Sequence, residues 1–422
     1  MRRYIATAAT LALVGLFLGS PNLAPRGVAA DLTRETPSSA DAFTDSWGAD
    51  THFAYRDGTY RSHQGKEIAA LEASGIRHIR DGLPMLPPDA QAILDDLCQH
   101  GIKHSIGFGV HTTGEKIIAA IKKHKPECLD EVEPQNEYDG AHDSDWVATI
   151  TDEQKLLYTT VKSQPSFSSI TVLGPPLVNL RHYAELGNIE AYSDAGNLHF
   201  STCDGNPKTR RYKSVDVGAQ FARSSWPAKP IWTTETAYTD DVARSKCAVD
   251  ESIAGSLVLR TQLEQWAIHA PRTYWYAFSD EPSDHMFGVQ GFVDANGDAK
   301  PRYNMLKAVT HLLADPGRVF AIRPVRINIG SDVAVDHQLF QKRDGTTYLF
   351  IWQEVESWDR DQQHRRSVPS AAVTVSVPAS AKEITRYDFD AKYNLQKKQL
   401  SAPDGRLRLN VSDAPSIVSF RD

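Results

Sequence analysis

Short apolar runs alternate with longer amphipathic stretches between about Ala42 and Ala314. The apolar runs have the length of β-strands, and the stretches between them repeat apolar residues at spacings of three and four, as one-sided helices do. The pattern predicts strands at residues 43–50, 76–82, 103–109, 131–137, 170–176, 197–201, 230–236 and 273–279. It predicts helices at residues 63–74, 87–100, 114–125, 152–163, 251–270 and 303–315.

Strands and helices that alternate in this way over roughly 250 residues are typical of a (β/α)8 TIM barrel, a closed α/β fold. An open doubly wound sheet is the alternative. Its dinucleotide fingerprint, GxGxxG after the first strand, is missing, because the nearest match, GFGVHT at 107–112, lacks the third glycine and comes in the third unit. The barrel is therefore the predicted fold, and its active site is expected where the strands end.

The first thirty residues differ from the rest of the chain. Arg2 and Arg3 precede an apolar run at 5–19, and small residues precede Asp31. This is the pattern of a cleaved secretory signal peptide. An uncleaved membrane anchor is the alternative, although the run is short for a bilayer. The sequence thus predicts a secreted or periplasmic protein.

The helical periodicity stops after Pro316 and Gly317. Beyond them, runs of alternating polarity are separated by the turn sequences RDGT and PDGR, which predicts β-strands. We therefore divide the chain into a signal peptide at residues 1–30, a barrel at 31–317 and a small antiparallel β-sandwich domain at 318–422. The sandwich is expected to pack against the barrel.

The net charge of the chain argues against two classes of binding partner. Cleavage of the signal peptide removes Arg2, Arg3 and Arg26 and no acidic residue, so the formal charge falls from −7 to −10. An acidic chain is repelled by phosphate backbones and by anionic lipid headgroups. We therefore expect no nucleic acid partner and no membrane after signal cleavage, and we predict a monomer.

Glutamates stand at the predicted ends of two strands that face each other across a closed barrel. Glu137 ends strand four in EVEPQNE, and Glu235 ends strand seven in WTTET. Side chains at the carboxyl ends of barrel strands face one pocket, so the two carboxylates are expected a few ångströms apart. A separation of about 5 to 5.5 Å suits a retaining glycosidase, in which one carboxylate attacks the anomeric carbon and the other protonates the leaving oxygen.

An Asn-Glu pair after strand four and a glutamate after strand seven resemble the clan A retaining glycoside hydrolases. A barrel followed by a sandwich resembles the family 39 and family 5 branches of this clan. The resemblance implies that Glu137 is the acid/base, that Glu235 is the nucleophile and that Asn136 hydrogen-bonds the sugar 2-hydroxyl. Several members of these families have proline after the pair, where this chain has Tyr138 and Asp139.

Two more residues match these families at strand ends. Arg80 ends strand two in HIRDG, and His199 ends strand six in NLHFS. The resemblance implies that Arg80 keeps the nucleophile ionised and that His199 lines the floor of the pocket. The first role also has a reason independent of the family, since a guanidinium beside a carboxylate lowers its pKa.

The eighth strand, TYWYAFSDE, is where an aromatic side chain is expected at the floor of the sugar site. Trp275 or Tyr276 could provide it, depending on which of them faces inward. His52, after strand one, is a further substrate-binding candidate, and a position in the core or on the rim is the alternative. Asp280 and Glu281 either cap the loop after strand eight or bind sugar.

Three acidic residues precede the Asn-Glu pair. Glu133 is predicted to face inward and to form an ion pair deep in the barrel. Asp130 and Glu131 are expected in solvent at the start of the strand.

Four cysteines follow the signal peptide: Cys98, Cys128, Cys203 and Cys247. An even number in an exported chain suits two disulfides, and the absence of a CxxC spacing argues against a zinc site. From the loops that carry them we predict that Cys98 pairs with Cys128 and that Cys203 pairs with Cys247. Four buried free thiols are the alternative.

The sequence therefore predicts a secreted retaining glycoside hydrolase that cleaves O-glycosidic bonds of a poly- or oligosaccharide by double displacement. It contains neither the GxSxG of α/β-hydrolases nor the HExxH of zinc proteases, and we predict no cofactor and no metal. A non-catalytic carbohydrate-binding or scaffolding protein on an inactive barrel is the alternative, because a fold does not dictate an activity.

Overall fold

A computed structural model describes residues 32–422 except 56–57, 82–83, 203–205, 209–213 and 282–287. The predicted signal peptide at residues 1–30 lies outside the described residues. Within them, no helix combines the length and the apolar character that a membrane crossing requires.

The helices of the described residues are α1 (Ala40–Asp45), α2 (Thr59–Ser62), α3 (Gln64–Ser74), α4 (Pro88–Gln99), α5 (Gly114–Lys123), α6 (Trp146–Lys162), α7 (His182–Leu186), α8 (Val215–Ala222), α9 (Glu251–Ala267) and α10 (Pro301–Leu313). The strands are β1 (Thr33–Glu35), β2 (Ser38–Ser39), β3 (Trp47–Asp50), β4 (His78–Arg80), β5 (Lys103–Gly107), β6 (Leu129–Glu133), β7 (Thr171–Val172), β8 (Gly196–His199), β9 (Ile231–Thr236), β10 (Thr273–Trp275), β11 (Val325–Ser331), β12 (Val335–Gln341), β13 (Thr347–Gln353), β14 (Trp358–Asp359), β15 (His364–Arg365), β16 (Ala371–Ser376), β17 (Lys382–Phe389), β18 (Leu395–Gln399), β19 (Arg406–Val411) and β20 (Ser416–Arg421).

Strands β3 to β10 form one parallel sheet in the order β7-β6-β5-β4-β3-β10-β9-β8. Its end strands, β7 and β8, meet through a parallel bridge between Leu173 and Ala195 and a hydrogen bond from Gly174 N to Ala195 O at 2.9 Å. The sheet is therefore closed and its strands alternate with helices, which confirms the predicted (β/α)8 barrel. We number the barrel strands one to eight, from β3 to β10.

Most of the helices bury one face, as the sequence pattern requires. α5 begins after Thr113, whose hydroxyl accepts a hydrogen bond from Lys116 N, and it buries Ile117 and Ile121. α9 differs, because residues 253–265 are all buried. This helix touches the barrel strands on one side and the sandwich on the other, so it has no solvent face over that length.

The boundary of strand one differs from the sequence prediction. Residues 43–46 were predicted as strand, but they are the end of α1 and the residue that follows it, and the strand begins at Trp47. The Ser39 hydroxyl accepts a hydrogen bond from Ala42 N and caps this helix. The capping residue therefore favours a helix here, although the apolar run predicts a strand.

The end of strand four also differs. The sequence predicts that this strand ends at Glu137, but it ends at Glu133. Pro134 has no N–H group to donate to a neighbouring strand. Residues 134–137 consequently form a loop at the carboxyl end of the barrel.

The sandwich has two main sheets, in the orders β1-β11-β16-β19 and β18-β17-β20-β13-β12-β2. The pairs are antiparallel except β2 with β12. The facing sides enclose an apolar cluster that includes Val325, Ile327, Leu349, Ile351, Val373, Leu409 and Val418. The predicted antiparallel sandwich is confirmed.

Strands β1 and β2 precede the barrel in the chain but pair with strands of the sandwich. Thr33 lies opposite Ile327, and its hydroxyl donates to the carbonyl of that residue at 2.8 Å. Ser38 pairs with Phe340. This differs from the sequence prediction, which placed the segment in the barrel and contained neither strand.

One strand belongs to the cores of both modules. All residues of β13 are buried. Leu349 and Ile351 join the core of the sandwich, while Phe350 and Trp352 join the core of the barrel. Burial on both faces explains why this run is apolar at consecutive positions. The sandwich thus packs against the barrel, as predicted.

Cys98 and Cys128 form a disulfide, as predicted, with their Cα atoms 5.5 Å apart. The bond joins the last turn of α4 to the residue before strand four. Cys203 lies outside the described residues, so its pairing with Cys247 stays a prediction.

Removal of the disulfide is expected to lower the free energy of unfolding. The bond closes a loop with a sequence separation of 30, for which loop-closure entropy predicts about 3 to 4 kcal/mol. The Cys98→Ser/Cys128→Ser variant should therefore unfold at a lower urea concentration than the wild type. Peptide mapping without reductant checks the pairing, and finding Cys98 bonded to another cysteine or free would contradict it.

Candidate active site

The Arg80 guanidinium lies at the centre of the site, at the end of strand two. Its Nε binds Glu133 Oε1 at 2.5 Å, and its Nη1 binds Glu235 Oε1 at 2.7 Å. Asp50 Oδ1, at the end of strand one, is 3.4 Å from Nη1. Nη2 donates to Asn136 Oδ1 at 2.8 Å. One cation therefore joins the ends of strands one, four and seven to the loop after strand four.

The surroundings of Glu235 favour its ionised form. Burial opposes ionisation, but the charges of His199 and Arg80 outweigh it and hold the pKa of Glu235 below its usual value. Burial raises the pKa of Asp50 well above its usual value. Asp50 therefore takes up a proton more readily than Glu235 does. The side chain of Glu235 is 22% exposed. An accessible carboxylate thus faces the pocket.

Glu137 lies beyond strand four in the left-handed backbone conformation, with φ of 46°. Residues other than glycine rarely adopt it. A short 3₁₀ helix, Tyr138–Gly140, follows. In this conformation Glu137 Oε1 lies 2.9 Å from His199 Nδ1, at the end of strand six. The loop therefore brings the carboxyl to the pocket although the strand itself ends earlier.

A series of hydrogen bonds determines which ring nitrogen of His199 carries a hydrogen. Glu133 Oε2 accepts from Asn197 Nδ2 at 2.8 Å, so Asn197 Oδ1 is the atom that accepts from the Thr234 hydroxyl, at 2.6 Å. Because the hydroxyl has only one hydrogen, Thr234 Oγ1 must accept from His199 Nε2, at 3.0 Å. In a neutral His199, Nδ1 then carries no hydrogen and can only accept.

The contact between His199 Nδ1 and Glu137 Oε1 consequently requires a proton between them. Either a protonated Glu137 donates to a neutral imidazole, or a cationic imidazole donates to the carboxylate. One carboxylate oxygen of Glu137 and one of Glu235 lie within 4.8 Å of each other. The pocket therefore presents a proton donor and an anion side by side.

The two aromatic candidates of strand eight have different environments. Trp275 is buried behind the sheet, where its ring stacks on Trp47 at 6.2 Å and its Nε1 donates to Gln262 Oε1 at 2.9 Å. Its assignment to the sugar site was wrong, because this position of the strand faces the helices. Tyr276 is half-buried on the pocket side. Burial and the charge of Glu235 raise the pKa of Tyr276.

His52 stands beside Tyr276, with ring centroids 5.5 Å apart. Its Nδ1 is 3.1 Å from Glu281 Oε2, so the Glu281 carboxylate lies beside the imidazole. Asp280 instead binds Lys300 Nζ at 3.0 Å and fixes the loop after strand eight. The wall of the pocket opposite Glu137 is thus built from the ends of strands one and eight.

The other acidic residues of strand four fill the barrel below the pocket. Glu133 is buried and ion-paired, as predicted. The expectation of solvent around Asp130 and Glu131 was wrong. Glu131 is fully buried and accepts from the Tyr274 hydroxyl at 2.5 Å, and burial raises its pKa well above the usual value. Asp130 pairs with Arg272.

The pocket also has the donor atoms of a metal site. The ligand atoms of Glu137, His199 and Glu235 all lie within 4.8 Å of one another, and imidazole with carboxylate suits a divalent cation. The prediction of no metal therefore stays a prediction. Two more such groups occur in the described part of the chain, Glu72 with Asp96 and His100, and Glu264 with Asp336 and Glu354.

Asp50, Asn197 and Thr234 also belong to the site, although the sequence pattern did not point to them. Asp50 ends strand one, so its strand position was a usable signal. Strict alternation of faces would point Thr234 away from the side that Glu235 occupies. A register shift in the pairing of strands six and seven, next to His199, breaks that alternation. Both residues consequently reach the same imidazole.

Replacing Arg80 by methionine is expected to raise the pKa of Glu235, because the carboxylate loses a neighbouring cation. The measurement is a ¹³C NMR titration of labelled glutamate carboxyls, in which the Glu235→Gln spectrum assigns the resonance. Arg80→Lys retains the charge and should give a smaller rise. An unchanged titration of Glu235 in Arg80→Met would contradict the role given to the guanidinium.

No family model matches the sequence, and no curated protein matches it. Solved structures do resemble it. A family 39 glycoside hydrolase from the gut symbiont Bacteroides cellulosilyticus WH2 has a TM-score of 0.63 at 15% identity, over 92% of this chain and 83% of that chain. A family 39 β-xylosidase from Caulobacter crescentus has a TM-score of 0.57 at 14% identity, over 92% of this chain and 98% of that chain. The chain therefore has the barrel-and-sandwich fold of these family 39 enzymes.

Proposed function

We propose that the protein is a retaining glycoside hydrolase that cleaves O-glycosidic bonds of a poly- or oligosaccharide by double displacement. The proposal depends on one observation, the carboxyl groups of Glu137 and Glu235 in unlike environments with oxygens within 4.8 Å. Retaining enzymes hold their two carboxyls about 5 to 5.5 Å apart, whereas inverting enzymes need more room for a water. Glu137 and Glu235 both lie beside the same imidazole nitrogen, His199 Nδ1, at 2.9 and 3.6 Å, and this close placement supports retention.

In the first step, Glu235 is the nucleophile. Its carboxylate attacks the anomeric carbon, and the proton shared by Glu137 and His199 passes through Glu137 to the departing oxygen. A glycosyl ester of Glu235 forms and an alcohol leaves. Arg80 supports this role because its charge keeps the nucleophile ionised.

In the second step, Glu137 acts as a base. Formation of the ester removes the negative charge of Glu235, and Glu137 has already given up its proton. Glu137 therefore takes a proton from a water molecule, whose oxygen attacks the anomeric carbon and releases the sugar from Glu235. The proton that Glu137 gains restores the pair with His199, and the anomeric configuration is retained after two inversions.

Three residues are proposed to bind the sugar. Asn136 is exposed, and since its Oδ1 accepts from Arg80, its Nδ2 is the atom available to donate to a sugar hydroxyl. Tyr276 and His52 form the wall beside the nucleophile. An aromatic ring and an imidazole at this position suit the apolar face and the hydroxyls of a pyranose.

We propose that the protein acts outside the cytoplasm, as a secreted or periplasmic enzyme. Residues 1–30 have the pattern of a cleaved signal peptide. The disulfide between Cys98 and Cys128 supports this location, because such bonds persist in oxidising compartments.

A carbohydrate-binding protein on an inactive barrel is the competing proposal. A screen of aryl glycosides and of bacterial and plant polysaccharides separates the two. An aryl β-xyloside is the first probe, because one structure of similar fold is a β-xylosidase. Hydrolysis by the wild type and none by Glu235→Gln would support the enzyme. Saturable binding of a polysaccharide without any hydrolysis would support the alternative.

Hydrolysis is expected to retain the anomeric configuration. Proton NMR of the first-formed product, recorded before mutarotation, measures the configuration of the released sugar. Initial appearance of the inverted anomer would rule out the double displacement.

Substitution of the two glutamates is expected to separate their roles. Glu235→Ala should abolish the glycosyl-enzyme with every substrate, since no leaving group supplies the missing nucleophile. Glu137→Ala should lose about 10² to 10⁴ in rate with unactivated substrates. It should still form the glycosyl-enzyme from an activated aryl glycoside, whose leaving group needs no proton.

Added azide distinguishes the two variants. In Glu137→Ala azide attacks the glycosyl-enzyme without a base, so it should accelerate turnover and give a glycosyl azide of retained configuration. In Glu235→Ala it should attack the substrate directly and give the inverted product. The opposite pair of products would mean that the two roles are exchanged, and unchanged turnover in both variants would refute the site.

A further inference from the structure

The turn that follows Glu137 is tied to the next βα loop by a buried carboxylate. Asp139 lies two residues after Glu137, and its side chain is 0% exposed. Its Oδ1 accepts from Val178 N at 3.0 Å, and its Oδ2 accepts from Asn179 N at 3.0 Å and contacts His182 Nδ1 at 2.8 Å. All three partners come from the segment after strand five.

The hydrogen-bond directions around His182 are fixed by its neighbours. Asn179 Oδ1 accepts from Arg181 N at 3.1 Å, so Asn179 Nδ2 is the atom that donates to His182 Nε2, at 3.0 Å. His182 Nε2 therefore accepts, and Nδ1 carries the hydrogen that is donated to Asp139. Asp139 thus receives three hydrogen bonds that all come from one segment.

The segment that holds Asp139 is itself well anchored. The Tyr183 hydroxyl accepts from Leu177 N at 3.2 Å and donates to the Asn197 carbonyl at 2.9 Å. Asn197 belongs to strand six, beside His199. The segment that binds Asp139 is therefore hydrogen-bonded to strand six, which carries His199, the residue that contacts Glu137.

Glu137 needs an external anchor because its backbone conformation is unfavourable. A left-handed φ at a residue other than glycine persists only where the surrounding structure holds it. The local bonds of the turn stay within residues 137–143: Gly140 N donates to Glu137 O at 3.0 Å, Ala141 N donates to Tyr138 O at 3.1 Å, and the Tyr138 hydroxyl donates to Asp143 Oδ2 at 2.9 Å. None of these bonds ties the turn to the barrel strands.

We propose that Asp139 is the positioning residue of the acid/base. It clamps the turn Tyr138–Gly140 onto residues 178–182 and so keeps the Glu137 carboxyl at hydrogen-bond distance from His199. The inference rests on the proposed glycoside hydrolase activity. Asp139 does not reach the reacting atoms, so its loss should impair protonation of the leaving group and leave the nucleophile intact.

The test compares Asp139→Ala with the wild type over a series of aryl glycosides whose leaving groups differ in pKa. A misplaced acid costs about 100-fold, so kcat/KM should fall by about that factor for the poorest leaving groups. It should fall less than about threefold for dinitrophenyl glycosides, which depart without protonation. Azide should raise kcat of the variant with dinitrophenyl substrates, since the second step also lacks its base.

Asp81→Asn is the matched control. The Asp81 carboxylate is also buried and also accepts three hydrogen bonds, from the Thr51 hydroxyl at 2.8 Å and from Phe53 N and Ala54 N at 2.8 and 3.0 Å. It holds the loop that carries His52. Its loss should lower kcat/KM by a similar factor for every leaving group, which is the result of a purely structural defect.

His182→Ala is the second variant, and it removes one of the three bonds to Asp139. It should show the same dependence on the leaving group with a smaller loss, and it keeps the test available if Asp139→Ala does not fold. Losses independent of the leaving group in the folded variants would overturn the clamp while the wild type remains a hydrolase. A wild type that hydrolyses none of the substrates would instead overturn the proposed function.

Discussion

A single guanidinium among three carboxyl groups is the constraint on which the pocket depends. Arg80 contacts Asp50, Glu133 and Glu235, which end strands one and four and lie near the end of strand seven. One positive charge cannot neutralise three negative ones in a buried site, so at least one carboxyl is driven toward its protonated form. Burial selects Asp50 for that role. These carboxyls come from strands one, four and seven, so closure of the barrel brings them to the same guanidinium and fixes where Glu235 stands.

The two proposed catalytic glutamates have the same chemistry and opposite surroundings. Glu235 faces the Arg80 guanidinium, whose positive charge favours the ionised carboxylate. Glu137 faces an imidazole whose far nitrogen is committed to Thr234, which requires a proton on the near side. Unlike surroundings of this kind are how one residue type supplies both an acid and a nucleophile. His199 lies between them, so any change in its orientation affects both.

Periodicity was enough to predict the barrel and the sandwich, and strand ends were enough to find Arg80 and Glu235. Other features depend on contacts that no local pattern contains. The side of the sheet that Trp275 faces follows from strand phase, which a short run does not fix. Glu131 was expected in solvent because its partner, Tyr274, comes from a strand far along the chain. Glu137 lies in a loop whose shape depends on Pro134 and on contacts with the next loop.

The pairing of β1 and β2 with the sandwich places the whole barrel between two parts of one module. Thr33 and Ile327, which are hydrogen-bonded partners, are 294 positions apart in the chain. A chain that emerges from its amino terminus makes these strands first and their partners last, and contacts of such separation form slowly. In the order of the chain, the barrel is thus inserted between two parts of the sandwich. A cut of the chain at residue 318 would separate the sandwich from two of its own strands, so residues 318–422 alone do not contain the whole module.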